Sequence, residues 1–410
     1  MGITSKPLFL INSLMGLFIF ILPTALVSIP KGGSVVAFML ILSLVGLAIN
    51  RDKLELDKWE KYFVFSFVFY FAVIAINLWW FDGKLHDLDT PSRLLLVLPI
   101  FFFIRKSNIS VNWFISGVVV ASLIMGAHQI MLHTGHNGLY AFRDNSGVMT
   151  LFASIFGLAS LLFIGNERGK IINLLLLLIA MLGILASFLL GGRGVWISAI
   201  GSLVFIGFVN PLNWSKGVRF ISTGFFIGVF VVAYLTPQTG VKDRLSKATD
   251  NVVQWSESGR SNTSSGARLE MWKASYQVIK EKPFFGVGED NYSKYQQILI
   301  DQGKISKSVE GFLHPHGEYI TSLVEQGFIG LLAFIAVLFT PLKYLLHSIR
   351  VNKSNYKQRA LMIAGLIIVL HYAFYSVTSG VFDHQSTALF YSVFMVIIFG
   401  LIKSNSRAKI

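Results

Sequence analysis

IINLLLLLIAMLGILASFLLGGRGVWISAIGSLVFIGF, residues 171–208, decides the fold. Two apolar runs flank GGRG, and each is about one bilayer crossing long. Apolar side chains follow one another without the alternation of a barrel strand, so the runs are helices. Backbone N–H and C=O groups find no partner in hydrocarbon, and a helix satisfies them internally. The stretch is therefore a helical hairpin whose glycines permit a tight turn around Arg193.

The same texture runs through the chain. Of 410 residues, 54% are hydrophobic and 14% charged, and the mean hydropathy is +0.63. That excludes a soluble globular protein. Apolar segments recur near 8–29, 33–49, 62–81, 94–104, 112–132, 147–164, 171–190, 194–209, 218–235, 318–342, 360–378 and 384–402. The chain reads as an all-α polytopic integral membrane protein with about twelve crossings. Residues 94–104 are short and need their flanks to span. Leu8–Ile29 is too long for the apolar core of a secretion signal and reads as a retained first helix. The net charge of +14 reflects basic loops on one side and attraction to anionic membrane lipids. With no soluble basic domain, no nucleic-acid partner is expected. The absence of cysteine excludes disulfides, thiol catalysis and cysteine-ligated metals.

Lys and Arg crowd alternate short loops: Arg51 to Lys61, Arg105 and Lys106, Arg168 and Lys170, Lys216 and Arg219, Lys343 to Arg359, and Lys403 to Lys409. The opposite loops carry only Lys31, Lys84, Arg93, Arg143 and Arg193. Both termini are expected in the cytoplasm, with one large loop facing outward between helices 9 and 10. The chain then divides into 1–235 with helices 1–9, the loop 236–317, and 318–410 with helices 10–12 and a tail. Within the loop, RLEMWKASYQVIKEKPFFGVGEDNY places Leu269, Trp272, Tyr276 and Ile279 on one helical stripe that Pro283 ends. Such a helix lies on the interface or across the helix tops. SESGRSNTSSGAR before it reads as a mobile linker.

Polar chemistry belongs at the outer surface, because the spans are nearly free of charge. His128 and His371 read as packing residues. Arg193, held between glycines at the lipid boundary, suits either a bidentate phosphate ligand or a snorkelling anchor. Arg268 opens the amphipathic helix, where a solvated arginine is the plain alternative. Arg143 in YAFRDNSG has Asp144 as a ready ion-pair partner. HPHGEYITSLVEQGFIG, residues 314–330, sets His314 and His316 where the loop meets a membrane helix. Pro315 suits a first helical turn, and the helix dipole there favours a neutral His316 that can accept a proton. Glu318 pulls the other way. A general base and a histidine that merely caps both fit. Gly327 and Gly330 let a neighbouring helix approach. Asp87 and Asp89, beside His86 in FDGKLHDLD, have the spacing of a divalent-cation site but also that of a solvated acidic loop. Asp383 and His384 are polar groups without an assigned role.

HPHGEYITSLVEQGFIG resembles the signature of the bacterial O-antigen ligase family: a histidine, a polar position, a spacer and Gly-x-x-Gly. His316, Gly327 and Gly330 match, while Gly317 replaces the usual Asn, Ser or Gln. GGRGVW resembles that family's Arg-Gly turn and carries Arg193. GARLEMW and KPFFGVGEDNY resemble its outer-loop pattern through Arg268, Trp272, Pro283, Gly286 and Gly288. The resemblance implies a GT-C-like glycosyltransferase of the bacterial inner membrane with its large loop in the periplasm. Such an enzyme transfers O-antigen glycan from undecaprenyl pyrophosphate to a sugar hydroxyl of lipid A-core, in lipopolysaccharide biosynthesis. The implied transfer is inverting and metal-independent, with no cofactor. His316, Arg193 and Arg268 would be catalytic. Arg193, Arg268, Arg143, His314 and Trp272 would bind substrate. The alternatives are an O-antigen polymerase, a protein O-oligosaccharyltransferase using the same donor, and a lipid-linked sugar flippase or transporter.

Overall fold

The structure, a computed structural model, describes residues 6–29, 31–51, 53–133, 146–161, 169–190, 192–209, 240–259, 261–351 and 356–407, with scattered positions between 224 and 237. Its helices are α1 (Lys6–Ser28), α2 (Ser34–Ile49), α3 (Lys58–Trp80), α4 (Asp89–Leu96), α5 (Leu98–Lys106), α6 (Val111–His133), α7 (Ser146–Leu161) and α8 (Lys170–Leu190). There follow α9 (Arg193–Val209), α10 (Val241–Ser258), α11 (Ser264–Glu281), α12 (Tyr292–Asp301), α13 (Glu318–Glu325), α14 (Gly327–Val351), α15 (Tyr356–Tyr375) and α16 (Gln385–Arg407). No strand occurs among the described residues. Seven of these helices are long and apolar enough to cross a membrane: α1, α3, α6, α8, α14, α15 and α16. Ser34–Ile49, Val148–Ser160 and Arg193–Val209 are shorter apolar helices. Most of the expected crossing at 218–235 lies outside the described residues.

Two expected crossings are broken helices. The 94–104 segment recruits its N-terminal flank as α4 and is interrupted at Val97, with Pro99 in the first turn of α5. The 318–342 segment breaks between α13 and α14, where Gly327 takes φ +69°. The 171–208 stretch forms two helices, α8 and α9, as expected, but they splay apart, α8 packing on α6 and α7 and α9 chiefly on α15.

α15 and α16 are the most enclosed spans. Lipid tails are as apolar as the core, so close packing rather than water exclusion holds helices together here. Phe399 of α16 stacks on Phe63 of α3 at 4.1 Å, and Phe390 stacks on Phe152 of α7 at 4.2 Å. His371 of α15 is fully buried, and its ring nitrogens meet Ser154 of α7 at 2.9 Å and Ser202 of α9 at 3.0 Å. It is a packing histidine, tying three helices.

One end of the bundle is closed by a buried ion pair. Arg105, at the end of α5, donates to both carboxylate oxygens of Glu60 at 2.5 and 2.9 Å and to the carbonyl of Glu55 at 2.7 Å. Glu60 also completes the capping box that starts α3. Lys403 of α16 pairs with Asp57 on the same rim. The sequence suggests Arg105 as a loop cation, yet the fold uses it as a fully neutralised strut.

The opposite end carries the loop elements. Met271 and Ala274 of α11 pack with Leu299, Ile305 and Val309, while Val278 packs with Val287, Tyr292 and Val324 of α13. The buried face of α11 is thus centred on Met271, Ala274 and Val278, and Tyr276 of the expected stripe is 65% exposed. The helix finds its partners in α12 and α13, which rotates the apolar face from the expected one. The serine-rich stretch before it is built in: Thr263 caps α11, and buried Ser261 bonds to Ser306 and Ser308. Exposed Trp79, Trp80, Leu85, Phe284 and Phe285 at this end have the composition of an interfacial aromatic belt.

Removing one partner of a buried pair strands the other charge, at a cost of about 3–5 kcal/mol. Arg105→Ala and Glu60→Ala should each lower the thermal unfolding midpoint of purified protein sharply. The double variant should lose clearly less than the two losses added.

Candidate functional site

The two sequence patterns in the loop and at its end meet through backbone. Val287 N–H donates to the Val324 carbonyl at 2.9 Å, Gly288 N–H to Glu325 at 2.9 Å, and Phe328 N–H to Pro283 at 2.8 Å. The Pro-x-x-Gly-x-Gly turn thus lies across the break between α13 and α14. A Cβ at Gly286 would overlap the Glu325 carbonyl, and one at Gly327 would overlap Phe284. The close neighbour of Gly327 is therefore a loop, where the sequence suggests a helix. Asn77 of α3 locks the junction by donating to the carbonyls of Phe285 and Glu325 at 3.0 and 3.2 Å.

This junction places His316. Pro315 precedes α13, which starts only at Glu318, so it does not form the first helical turn expected of it. His316 has φ +50°, a left-handed conformation costing a non-glycine residue about 1–2 kcal/mol. The indole N–H of Trp272 spans the carbonyls of Pro315 and His316 at 3.1 and 2.9 Å and holds that turn. Trp272, expected to touch substrate, spends its donor on the histidine's backbone. Gly317 follows with φ +120°, where a side chain is disfavoured, which accounts for glycine in place of the usual polar residue. The N–H of Glu318 then donates to Ser376 and Ser379, and its carboxylate accepts from Phe382 N–H at 3.0 Å. These bonds bring the 376–384 turn beside His316.

Arg193, Arg268 and His316 are gathered at this end. Arg193 starts α9 and donates to the Arg244 carbonyl at 3.2 Å and to Ser264 Oγ at 3.3 Å. Both acceptors are neutral. Arg268, one turn into α11, has no hydrogen-bond acceptor among the described residues. Burial, and then the like charge of Arg193, push its pKa down. His316 is pushed down to about 4 by burial first, then by Arg268, His314 and His384. The imidazole is neutral at pH 7 through burial and the nearby Arg268 charge, and not through a helix dipole. Its ring lies edge-on to His314 and Phe312, with centroids 5.5 and 5.9 Å away. His314 Nε2 stands 3.7 Å from Asp383, whose carboxyl folds back over Gly380.

The arrangement sets two guanidinium groups near a proton acceptor. It can hold a multiply charged anion and remove a proton from a group presented beside it. Arg143 lies outside the described residues. Asp89 pairs with Arg93 at 3.1 Å and accepts from Gln385, while Asp87 accepts from Lys84 N–H at 3.2 Å. Among the described residues, no three His, Asp or Glu side chains are grouped to hold a metal ion. Sequence reasoning passed over Asn77, Tyr70, Glu325 and Gln385, and gave Glu318 no structural role. Glu318 and Glu325 had a signal: acids in an otherwise apolar run are functional by default near a membrane. Tyr70 had none, being one aromatic among many in FVFYF.

Residues 175–335 match the family model described as O-antigen ligase. The matched stretch runs from α8 to α14 and contains Arg193, Arg268, Trp272, His316, Gly327 and Gly330. The resemblance read from the motifs is shown by this match, which supports O-antigen ligase or polymerase-type activity in a multi-pass membrane protein. An uncharacterized protein of Haemophilus influenzae is 26% identical over 396 residues, covering 93% of this chain and 96% of its own length.

Gly286→Ala and Gly327→Ala each combine a strained φ with backbone overlap, whereas Gly303, at φ +66°, faces open space. Gly303→Ala should cost about 1–2 kcal/mol, from conformation alone. The other two should destabilise further, ranked by thermal unfolding of the purified variants.

Proposed function

On the premise of an O-antigen ligase segment spanning residues 175–335, we propose that this chain is a glycosyltransferase of the bacterial inner membrane that works at its periplasmic face. It moves O-antigen glycan from undecaprenyl pyrophosphate onto a sugar hydroxyl of lipid A-core. One observation carries this reading. Arg193 and Arg268 share a site with neutral His316 and touch no carboxylate among the described residues, so two fixed positive charges await an anion.

The chemistry follows from that arrangement. The acceptor oxygen attacks the anomeric carbon from the face opposite the diphosphate, so configuration inverts. The new glycosidic bond forms as the bond from anomeric carbon to diphosphate oxygen breaks. His316 takes the hydroxyl proton, and the electron pair leaves with undecaprenyl pyrophosphate. Negative charge grows on the departing oxygen, and guanidinium groups fixed in a site of low dielectric stabilise it without reorganising. The diphosphate also relieves the repulsion between Arg193 and Arg268, so donor binding releases electrostatic strain. The same anion opposes the field that depresses His316 and raises its basicity once the donor is seated. Both substrates are lipid-anchored, and holding them in one orientation lowers the barrier further. Charge bias in the loops supports cytoplasmic termini and a periplasmic site.

Purified protein given undecaprenyl-diphosphate glycan and core lipid A should yield a joined product, in the presence of chelator as well as without it. A lengthened donor would indicate a polymerase, and movement without bond formation a flippase. His316→Ala should abolish joining while donor binding persists. The base form is required, so activity is present above the histidine pKa and falls as pH drops through it. The acid limb of kcat/KM for the donor, which reports the free enzyme, should lie near pH 4. The limb of kcat, which reports the bound complex, should lie higher. Coincident limbs would contradict the coupling.

A further inference from the structure

Beside His314 and Asp383 lies a cavity of about 240 Å³ lined by Tyr70, Glu289, Glu318, Glu325, Asp383 and Gln385, with His86, Asp87 and Asp89 also in its wall. It is smaller than the roughly 300–1,000 Å³ of sites for drug-sized ligands, a size for one ring and not a chain of them. Its lining is opposite in character to the arginine pair. Glu318 and Glu325 are 3% and 6% exposed, and no lysine or arginine lines the cavity. Burial, followed by repulsion from Asp383 at Glu318 and from Glu289 at Glu325, holds both acids well above the usual carboxylate range. A protonated acid both donates and accepts, as a sugar hydroxyl does.

A second observation points to an occupant. Tyr70 is 94% buried by the complement of its 6% exposure, lines this cavity, and lies within electrostatic reach of Glu318, Asp383, Glu289 and Glu325. Its hydroxyl makes no hydrogen bond to any described residue. A buried phenol ordinarily finds a partner. Its ring lies edge-on to Phe382, 5.4 Å away, which gives the cavity one apolar wall against which a pyranose can pack.

We propose that this cavity is the acceptor-sugar subsite, taking one terminal sugar that bears hydroxyl or amino groups and turning away one that bears phosphate or carboxylate. The inference rests on the transferase reading above and divides the site by charge: the diphosphate goes to Arg193 and Arg268, the sugar to the acids. Asp383 stands at the border, 3.7 Å from His314 Nε2, whose ring lies 5.5 Å from that of His316, and this is the edge at which the sugar would present its reactive hydroxyl. The Tyr70 hydroxyl, Glu325 and Gln385 supply bonds to the remaining hydroxyls. A phosphate or carboxylate on the same sugar would meet buried acids with no lysine or arginine among the described lining residues, at a large desolvation cost.

The test uses the full-length enzyme with undecaprenyl-diphosphate glycan and two core lipid A acceptors, one ending in a neutral sugar and one carrying a phosphate on that sugar. Tyr70→Phe and Gln385→Ala should each raise the KM for the neutral acceptor about five- to tenfold, the loss of one hydrogen bond, and leave the KM for the donor unchanged. Gln385 is exposed, so its variant keeps the test open should Tyr70→Phe fail to fold. Unchanged acceptor KM in both variants, or equal use of the two acceptors by wild type, would overturn the subsite while leaving the transferase intact. A wild-type enzyme that joins neither acceptor would instead overturn the transferase reading. A parallel rise in donor KM would assign the cavity to the donor glycan and refute the proposal.

Discussion

Two like charges held together without a counter-ion among the described residues are the constraint on which the site depends. Arg193 and Arg268 come from elements 75 positions apart by their numbering, and the fold brings their fields together against mutual repulsion. The chain shows that it can neutralise an arginine fully. Arg105 at the other end has both Glu60 oxygens and a carbonyl, and is 3% exposed. Arg193 has a carbonyl and a hydroxyl, and Arg268 has no acceptor among the described residues. The same side chain is a strut in one place and an unfilled anion ligand in the other.

The scaffold accepts conformational cost to keep that place open. His316 occupies a left-handed turn, Gly286, Gly288, Gly317 and Gly327 all take positive φ, and backbone bonds among residues 283–288 and 324–328 fix the junction. Strain of this kind persists only where surrounding contacts over-determine it. Trp272, Asn77 and Glu318 supply those contacts, each by bonding to backbone. The loop and the broken crossing form one support, and the histidine ring is what it presents.

Much of the architecture was legible in the sequence because the bilayer leaves few choices. Apolar runs must be helices, and the two helices of 171–208 and the helix ended by Pro283 follow from patterns in the chain. The grouping of Arg193, Arg268 and His316 was implied only by the motif resemblance. What could not be read depends on tertiary partners. The break after α13 needs the 283–288 turn seated over Gly327, and the face of α11 is set by α12 and α13. The acids at 318 and 325 were visible as charges in an apolar run, but Tyr70 becomes distinctive only once burial and the lack of a partner are seen together. Arg105 looked like any basic loop residue, since its carboxylate lies 45 positions away.

The claim at the centre is that unneutralised guanidinium charge at this surface binds a diphosphate. The most direct measurement is equilibrium binding of undecaprenyl pyrophosphate, with uncharged undecaprenol as reference, to wild type and to Arg268→Gln. The account predicts that wild type prefers the diphosphate and that the variant loses about ten- to a hundredfold of that preference, the worth of a charge-assisted hydrogen bond. Affinity for undecaprenol should stay unchanged. Equal diphosphate affinity in the two proteins would contradict it.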